Sequence, residues 1–543
     1  MKALALRDLE NMFLPCLRNC VNMAELKRIH ANVVKHGLTQ SSFLLTKLVM
    51  ICDRNGEPEY AGLLYKTAAE PNVFLCNAVM KSYARHHLYV PAVAVFKVML
   101  LKARDEAHAG PDEYTLPIVL KACAGLGSAE LGREVHGFAW KVGLVSRVVV
   151  GNGMIDMYGK FGCMECARKV FDEMSDRDLV SWNAVVSGYL RAGSVATARQ
   201  LFDEMDRKTV VSWTTMISGY VKTGRYDDAI SVFHEMQMAG VQPDEICVVA
   251  VLTACAQVGA FEFGKWVRTF ADKSGFLEKT FIANAFIEMY SKCGSINEAC
   301  RVFNQMRSRD VISWSTMIGG LANHGKAREA IELFNEMKRS NVEPNGITFL
   351  GLISACSHAG LTDEGLMYIE SMTKEYRVEP TIEHYGCIVD ILGRAGRFDR
   401  ALSLIEKMPM QSDSKIWGSL LSSCRSYCNL EVAVTAMQHL IELEPDDTGN
   451  YVLLSNIFAR LGKWEEVSKL RRFIRSKSMK KTPGCSLVEV DNVVEEFVSG
   501  DDSKPFSKEI FWLLELLSSH QGEEDDSNEG LNLCEDDTSL MVS

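Results

Sequence analysis

The sequence repeats itself, and that repetition limits what the chain can fold into more than any other property. In the run Gly162-Cys-Met-Glu-Cys-Ala167-Arg-Lys-Val-Phe171-Asp-Glu-Met174, alanine follows glycine by 5 residues, phenylalanine by 9 and methionine by 12. The same spacing returns at Gly193/Ala198/Phe202/Met205, Gly224/Ala229/Phe233/Met236, Gly294/Ala299/Phe303/Met306 and Gly325/Ala330/Phe334/Met337. Gly396/Ala401/Ile405/Met408 keeps it with Ile for Phe. Glycine ends one helix in a left-handed residue. Alanine, phenylalanine and methionine then fall at i, i+4 and i+7, one face of a second helix. An apolar run precedes each glycine, such as Val211-Ser-Trp213-Thr-Thr-Met-Ile-Ser-Gly219-Tyr220. Each copy therefore reads as a helix–turn–helix hairpin.

The period is not uniform. Trp182 and Trp213 are 31 residues apart, whereas Trp213 and Trp314 are 101 apart, the length of two units of 35 and one of 31. Pro111-Asp112, Pro243-Asp244 and Pro344-Asn345 are separated by 132 and then 101 residues, a difference of one short unit. A hairpin of this size cannot bury its apolar face alone, so neighbours must stack into a solenoid of either hand. One elongated stack thus replaces the three or four globular domains that 543 residues would otherwise suggest.

Composition removes other classes. With 47% hydrophobic and 24% charged residues the chain has material for cores, and its longest apolar stretch, near Ile246–Ala256, is too short to cross a bilayer. Seventeen cysteines, with no secretory signal in an N-terminus carrying Asp8 and Glu10, read as reduced core thiols rather than a disulfide scaffold. Eight acidic residues between Glu523 and Asp537 supply most of the net charge of −11, so 521–543 reads as an acidic, disordered tail and net charge says little about partners.

Tetratricopeptide repeats keep a constant 34-residue period. The alternation here, with "VSWNAVVSGY", "VSWTTMISGY", "NAFIEMYSKCGSINEA" and "EHYGCIVDILGRAGRFDRA", instead resembles the plant pentatricopeptide repeat family in its mixed long–short (PLS) class, and within it mitochondrial RNA-editing factors. The resemblance covers roughly residues 7–520 and implies an all-α, right-handed superhelical solenoid. It divides the chain into an N-terminal degenerate repeat (1–41), a repeat region (42–413), E-type degenerate helical repeats (414–482), an E+ extension beginning "PGCSLVEV" (483–520) and the tail. The unit at 73–112 departs from the pattern by a short insertion around Lys102–Ala109.

The resemblance also implies a partner, an extended single-stranded organellar RNA whose bases are read one per unit. In the family, a residue one turn into the first helix and the final residue of the unit contact one base together. Asn reaches a pyrimidine edge, shorter Thr or Ser leaves room for a purine, and a final Asp, which only accepts, differs from Asn, which also donates. Carried over, Thr46 with Asn72 implies adenine, Asn77 with Asp112 uracil, Asn152 with Asp178 uracil, and Asn183 with the off-pattern Thr209 a pyrimidine. Thr214 with Asp244 implies guanine, Asn284 with Asp310 uracil, and Ser315 with Asn345 adenine. Pro117, Val249 and Leu350 cannot hydrogen-bond through their side chains, Gly386 is uninformative, and these units read as spacers. The expected sequence is 5′-A-U-n-U-Y-G-n-U-A-n-n, with the target cytidine downstream. Isolated Asn, Thr and Asp at helix starts are ordinarily caps; here the pairing recurs at matching positions.

Three residues before each reading position stands an apolar side chain: Phe74, Val149, Val180, Val211, Phe281 and Ile312. These either sandwich successive bases or fill the core between repeats. Lys469, Arg471, Arg472 and Arg475 lie in a basic stretch that reads either as a phosphate-facing surface or as a solvated helix face.

Catalytic motifs are missing. No His is followed two residues later by Glu, and no Pro-Cys-x-x-Cys occurs, so the zinc and proton-shuttling groups of a cytidine deaminase are lacking. Gly259-Ala-Phe-Glu-Phe-Gly264-Lys265 imitates a phosphate loop but places Trp266 where Ser or Thr would bind magnesium. Cys163 and Cys166 have metal-ligand spacing without a second pair nearby. The expectation is a non-enzymatic adaptor without cofactor or membrane contact. It directs C-to-U editing by recruiting a separate deaminase-bearing protein and accessory proteins, in the mitochondrion or, second, the chloroplast. The alternatives are an organellar splicing or stability factor and a protein-binding helical scaffold.

Overall fold

In the computed structural model the described residues are 6–103, 110–477, 484–490, 493–498, 509–514 and 516. Most of the expected insertion around Lys102–Ala109, part of the E+ stretch and the acidic tail lie outside them. Among the described residues fourteen helix pairs follow one another between Leu6 and Ser476.

The glycine of the repeat acts as its spacing predicts. Gly162 and Gly193 have φ of +74° and +77°, and the next N–H donates back into the first helix, Cys163 to Tyr158 O at 3.0 Å and Ser194 to Tyr189 O at 2.9 Å. The second helices then bury Ala167, Phe171 and Met174, or Ala198, Phe202 and Met205, as one stripe. The alternation of unit lengths resides in these second helices. First helices of the reading units, such as Val73–Arg85, Val210–Lys222 and Val311–Asn323, have 13 residues, and those of the units read as spacers, Thr115–Leu126, Glu245–Val258 and Gly346–Ala359, have 12 or 14. Second helices have 9 or 10 residues in short units (Met164–Glu173, Val195–Asp203, Ile296–Gln305) and 13 in long ones (Tyr226–Met238, Ala327–Arg339, Thr362–Lys374). The difference is about one helical turn.

The chain divides into two compact units, one of residues up to 257 together with 266–289, the other of 258–265 together with residues from 290. In the first, successive first helices pack side by side, and two short hairpins meet the next through an edge-to-face aromatic pair. Phe171 meets Trp182 and Phe202 meets Trp213, both at 4.9 Å between ring centres. Arg177 and Lys208 lie over the phenylalanine rings at 4.8 and 5.2 Å. The second unit repeats the device with Phe303, Trp314 at 5.0 Å and Arg309 at 4.4 Å. Each such aromatic pair contributes about 0.5–1.5 kcal/mol beyond the area it buries.

Beyond the helices, Cys485–Val490 pairs antiparallel with Val493–Val498, in a register running from Cys485↔Val498 to Val490↔Val493. The family template had placed no strand there. β-Branched Val488, Val490, Val493, Val494 and Val498 carry the strand preference. No helix among the described residues is long and apolar enough to cross a membrane.

Candidate nucleic-acid interface

In every unit the functional side chains come from the first helix and the cap that begins the next one. Position i+3 shares a helix face with position i, so Phe74 and Asn77, or Val211 and Thr214, point the same way. The cap that follows closes the site from the neighbouring helix.

The structure brings four of the pairs within hydrogen-bonding distance between consecutive hairpins. Asn77 Nδ2 donates to Asp112 Oδ1 at 3.1 Å, and Asn152 Nδ2 to Asp178 Oδ1 at 3.1 Å. Thr214 Oγ1 donates to Asp244 Oδ1 at 3.2 Å, and Ser315 Oγ, which donates to Val311 O at 2.7 Å, lies 3.4 Å from Asn345 Oδ1. Two other pairs are not joined. Thr46 donates to its own backbone at Ser42 O (2.6 Å) while Asn72 caps Leu75, and Thr209 forms a capping box with Ser212 rather than a bond to Asn183. Asn284 and Asp310 fall in different compact units; Asn284 is buried, and Asp310 accepts from the backbone and hydroxyl of Ser313, both at 2.8 Å.

Capping and pairing are therefore not competing roles. The oxygen of Asp178 that accepts from Asn152 also accepts from Ser181 N at 2.8 Å, and Asp112 and Asp244 do the same for Thr115 and Cys247. The second carboxylate oxygen of Asp112, Asp178 and Asp244 makes no hydrogen bond among the described residues. Burial pushes the Asp178 carboxyl up, but the Ser181 N–H, the Asn152 amide and the Ser181 hydroxyl outweigh it and hold the group below its ordinary range. Asp178 is an anion at neutral pH, an acceptor only.

The six apolar residues assigned to stacking are all exposed rather than packed into the core between repeats. The row is longer than the sequence reading made it. Phe43, Tyr114, Ile246 and Ile347 occupy the same register and are exposed too, with fractional exposures across the row from 43% at Phe43 to 74% at Phe74. Tyr114, Ile246 and Ile347 belong to the units read as spacers, whose reading positions Pro117, Val249 and Leu350 are half-buried. The signal was available in the fixed offset of three residues.

A basic row also escaped the sequence reading. In the first compact unit Arg54, Arg85, Lys160, Arg191 and Lys222 stand in the last turns of first helices, where the helix dipole favours cations; Lys292 and Arg394 do so in the second. Two clefts in the first unit combine all three kinds of group. One, of about 510 Å³, is lined by Phe74, Asn77, Lys81, Arg85, Asp112 and Tyr114. The other, of about 500 Å³, is lined by Arg191, Val211, Thr214, Lys222, Asp244 and Ile246. Each has two apolar side chains from adjacent hairpins, a hydrogen-bonded polar pair and cations. That is the chemistry to grip a planar ring, read its edge and neutralise a phosphate.

At the C-terminal end Lys469 pairs with Glu466 at 2.9 Å and Glu465 at 3.4 Å, while Arg471, Arg472 and Arg475 are exposed on the helix Trp464–Ser476. The phosphate-loop lookalike leads into the second helix Phe261–Lys273, with Lys265 paired to Glu262 at 2.9 Å. Cys163 and Cys166 meet at 2.9 Å between sulfurs at the start of a second helix. No group of three or more potential metal ligands occurs among the described residues.

Comparison with known proteins agrees with this architecture. Models described as PPR repeat match 152–179, 180–210, 281–311, 347–376 and 383–411, and PPR repeat family 208–257 and 309–358. The model described as E motif matches 427–489. A pentatricopeptide repeat-containing protein of Arabidopsis thaliana is 55% identical over 519 residues, covering 96% of each chain. A putative chloroplastic one from the same plant is 46% identical over 502 residues, covering 92% of this chain and 91% of its own. The crystal structure of the maize pentatricopeptide repeat protein PPR10 aligns at a TM-score of 0.54 with 18% identity, over 85% of this chain and 80% of that one.

Proposed function

This chain belongs to the pentatricopeptide repeat family, and from that premise we propose that it is a sequence-specific single-stranded RNA adaptor that directs C-to-U editing of an organellar transcript. The observation that carries the reading is the recurring cleft. Asn77–Asp112 and Thr214–Asp244 are hydrogen-bonded pairs between exposed apolar side chains of adjacent hairpins, with cations within the same cleft. A base inserted between Phe74 and Tyr114, or between Val211 and Ile246, presents its edge to the pair. The carboxylate and amide then sort uracil, and the shorter Thr214 leaves space for guanine. The nucleotides expected are 5′-A-U-n-U-Y-G-n-U-A-n-n.

The E-motif match over 427–489 supports editing as the outcome, with these residues recruiting a deaminase. The sequence holds no His-x-Glu with Pro-Cys-x-x-Cys, so in this reading a separate protein performs the chemistry and the chain itself is no enzyme. The mitochondrion is the proposed compartment.

A gel-shift series on the full chain tests the readout. Replacing the sixth nucleotide, guanine, by a pyrimidine weakens binding to the wild type, and Thr214→Asn reverses that preference. Each discriminating contact is worth about 1–3 kcal/mol, the scale set by direct base readout. Unchanged affinity in both experiments rejects the assignment. Sequencing organellar cDNA from a loss-of-function plant tests editing: one specific C-to-U change disappears, whereas a splicing or stability factor would alter transcript processing or abundance instead.

A further inference from the structure

A buried polar side chain stands three residues after several of these caps, and it does more than complete the cap. Thr115 is fully buried. Its hydroxyl accepts from Asp112 N at 3.1 Å and lies 2.7 Å from Asp112 Oδ1 and 2.8 Å from Asn77 Oδ1. It touches both members of the pair proposed to read the second nucleotide. Thr348 does the same in the second compact unit, 2.7 Å from Ser315 Oγ and 3.1 Å from Asn345 Oδ1. Ser181 does not: it bonds Asp178 at 2.9 Å, and Asn152 Oδ1 is left buried without a partner. At Thr214–Asp244 the position is Cys247, whose thiol lies 3.7 Å from Met236 Sδ.

The consequence follows from donor and acceptor inventories. An Asn side chain has two nearly superimposable ends of opposite hydrogen-bonding sense, and reversing it exchanges what it offers a base. Asp112 Oδ1 accepts from Asn77 Nδ2, so the end of Asn77 facing it is the –NH2. The carbonyl end then faces Thr115, whose hydroxyl can donate to it. The two contacts hold the amide in one sense and leave one N–H and one lone pair for a base in a fixed order. We propose that Thr115 is a positioning residue for base discrimination, locking the Asn77–Asp112 pair, and that Thr348 does the same for Ser315–Asn345. The inference rests on the RNA-reading function proposed above.

The test compares wild type, Thr115→Val and Thr115→Ser as full-length chains, binding 5′-A-U-n-U-Y-G-n-U-A-n-n RNAs with uracil, cytosine or adenine at nucleotide two. Thr115→Val, nearly equal in volume, is expected to shrink the preference for uracil there about two- to tenfold, the loss of one net hydrogen bond. Preference at nucleotide four, facing Asn152 and Asp178, stays as in wild type, and Thr115→Ser recovers part of the loss at nucleotide two. An equal loss of affinity for all RNAs, or an untouched preference, overturns the positioning role and leaves a cap. A wild type that shows no preference at nucleotide two rejects the underlying readout instead. If Thr115→Val melts too low for binding to be measured, Thr348→Ser is scored at nucleotide nine. It keeps the cap hydroxyl but frees its rotamer. Reduced preference for adenine there supports the inference, and unchanged preference overturns it.

Discussion

The reading units and the spacer units share one apolar row but not one polar row. Val211 and Ile246 line the same cleft, yet the residue three positions on is Thr214 in one helix and Val249 in the next. Phe74 and Tyr114 stand in the same relation, followed by Asn77 and Pro117. Holding a nucleotide and identifying it are thus assigned to different side chains. A spacer helix keeps the first task and drops the second.

The largest expected effect breaks this comparison directly. Ile246→Asp places a carboxylate in the apolar row of a spacer unit. If spacer units seat bases, affinity falls for every RNA by about 1–3 kcal/mol, the scale of a lost stacking contact. Base preference at nucleotides two and four stays unchanged. Wild-type affinity for this variant in a filter-binding titration would mean that spacer units hold no nucleotide. A smaller effect concerns packing. A Cβ on Gly351, next to the spacer position Leu350, would lie 3.2 Å from both Gly319 N and Ile318 Cγ2 on the neighbouring first helix. Gly351→Ala is expected to lower the urea midpoint, with a cost of about 1 kcal/mol from overpacking. An unchanged midpoint would mean that the two helices have slack.

The smallest effect is a pH dependence that separates charged from neutral caps. The Asp178 carboxyl is depressed in the folded chain, so its contribution is full above the unfolded value of about 4 and is lost as pH falls through the lower folded value. Thermal melts between pH 5 and 2.5 should show Asp178→Asn losing less stability on acidification than wild type. Equal slopes would remove the carboxylate from the account.

Much of the fold was legible because its signals are local. A left-handed glycine and an Ala/Phe/Met stripe are set within 13 residues, and Gly162 and Phe171 behave as their spacing requires. The strands Cys485–Val490 and Val493–Val498 were legible in their valines too, but the helical family template masked them. The candidate site was legible only in part. Paired residues 30 or more positions apart, such as Asn77 and Asp112, were found through the repeat register. Whether Thr46 turns to its own backbone or to Asn72 depends on a rotamer that no spacing encodes. The basic row went unread because Arg85 and Lys222 look in sequence like ordinary helix ends. The role of Thr115 emerges only when two hairpins are side by side.

Because long and short units differ mainly in their second helices, while the first helices of the reading units have 13 residues, the lettering along the reading edge is insulated from changes in unit length. A mutation that adds or removes a turn in a second helix leaves each Asn or Thr three residues past its apolar neighbour. The same change within a first helix would shift that residue off its partner and erase a letter. The lineage could therefore vary the bulk of its repeats freely while its message stayed in frame.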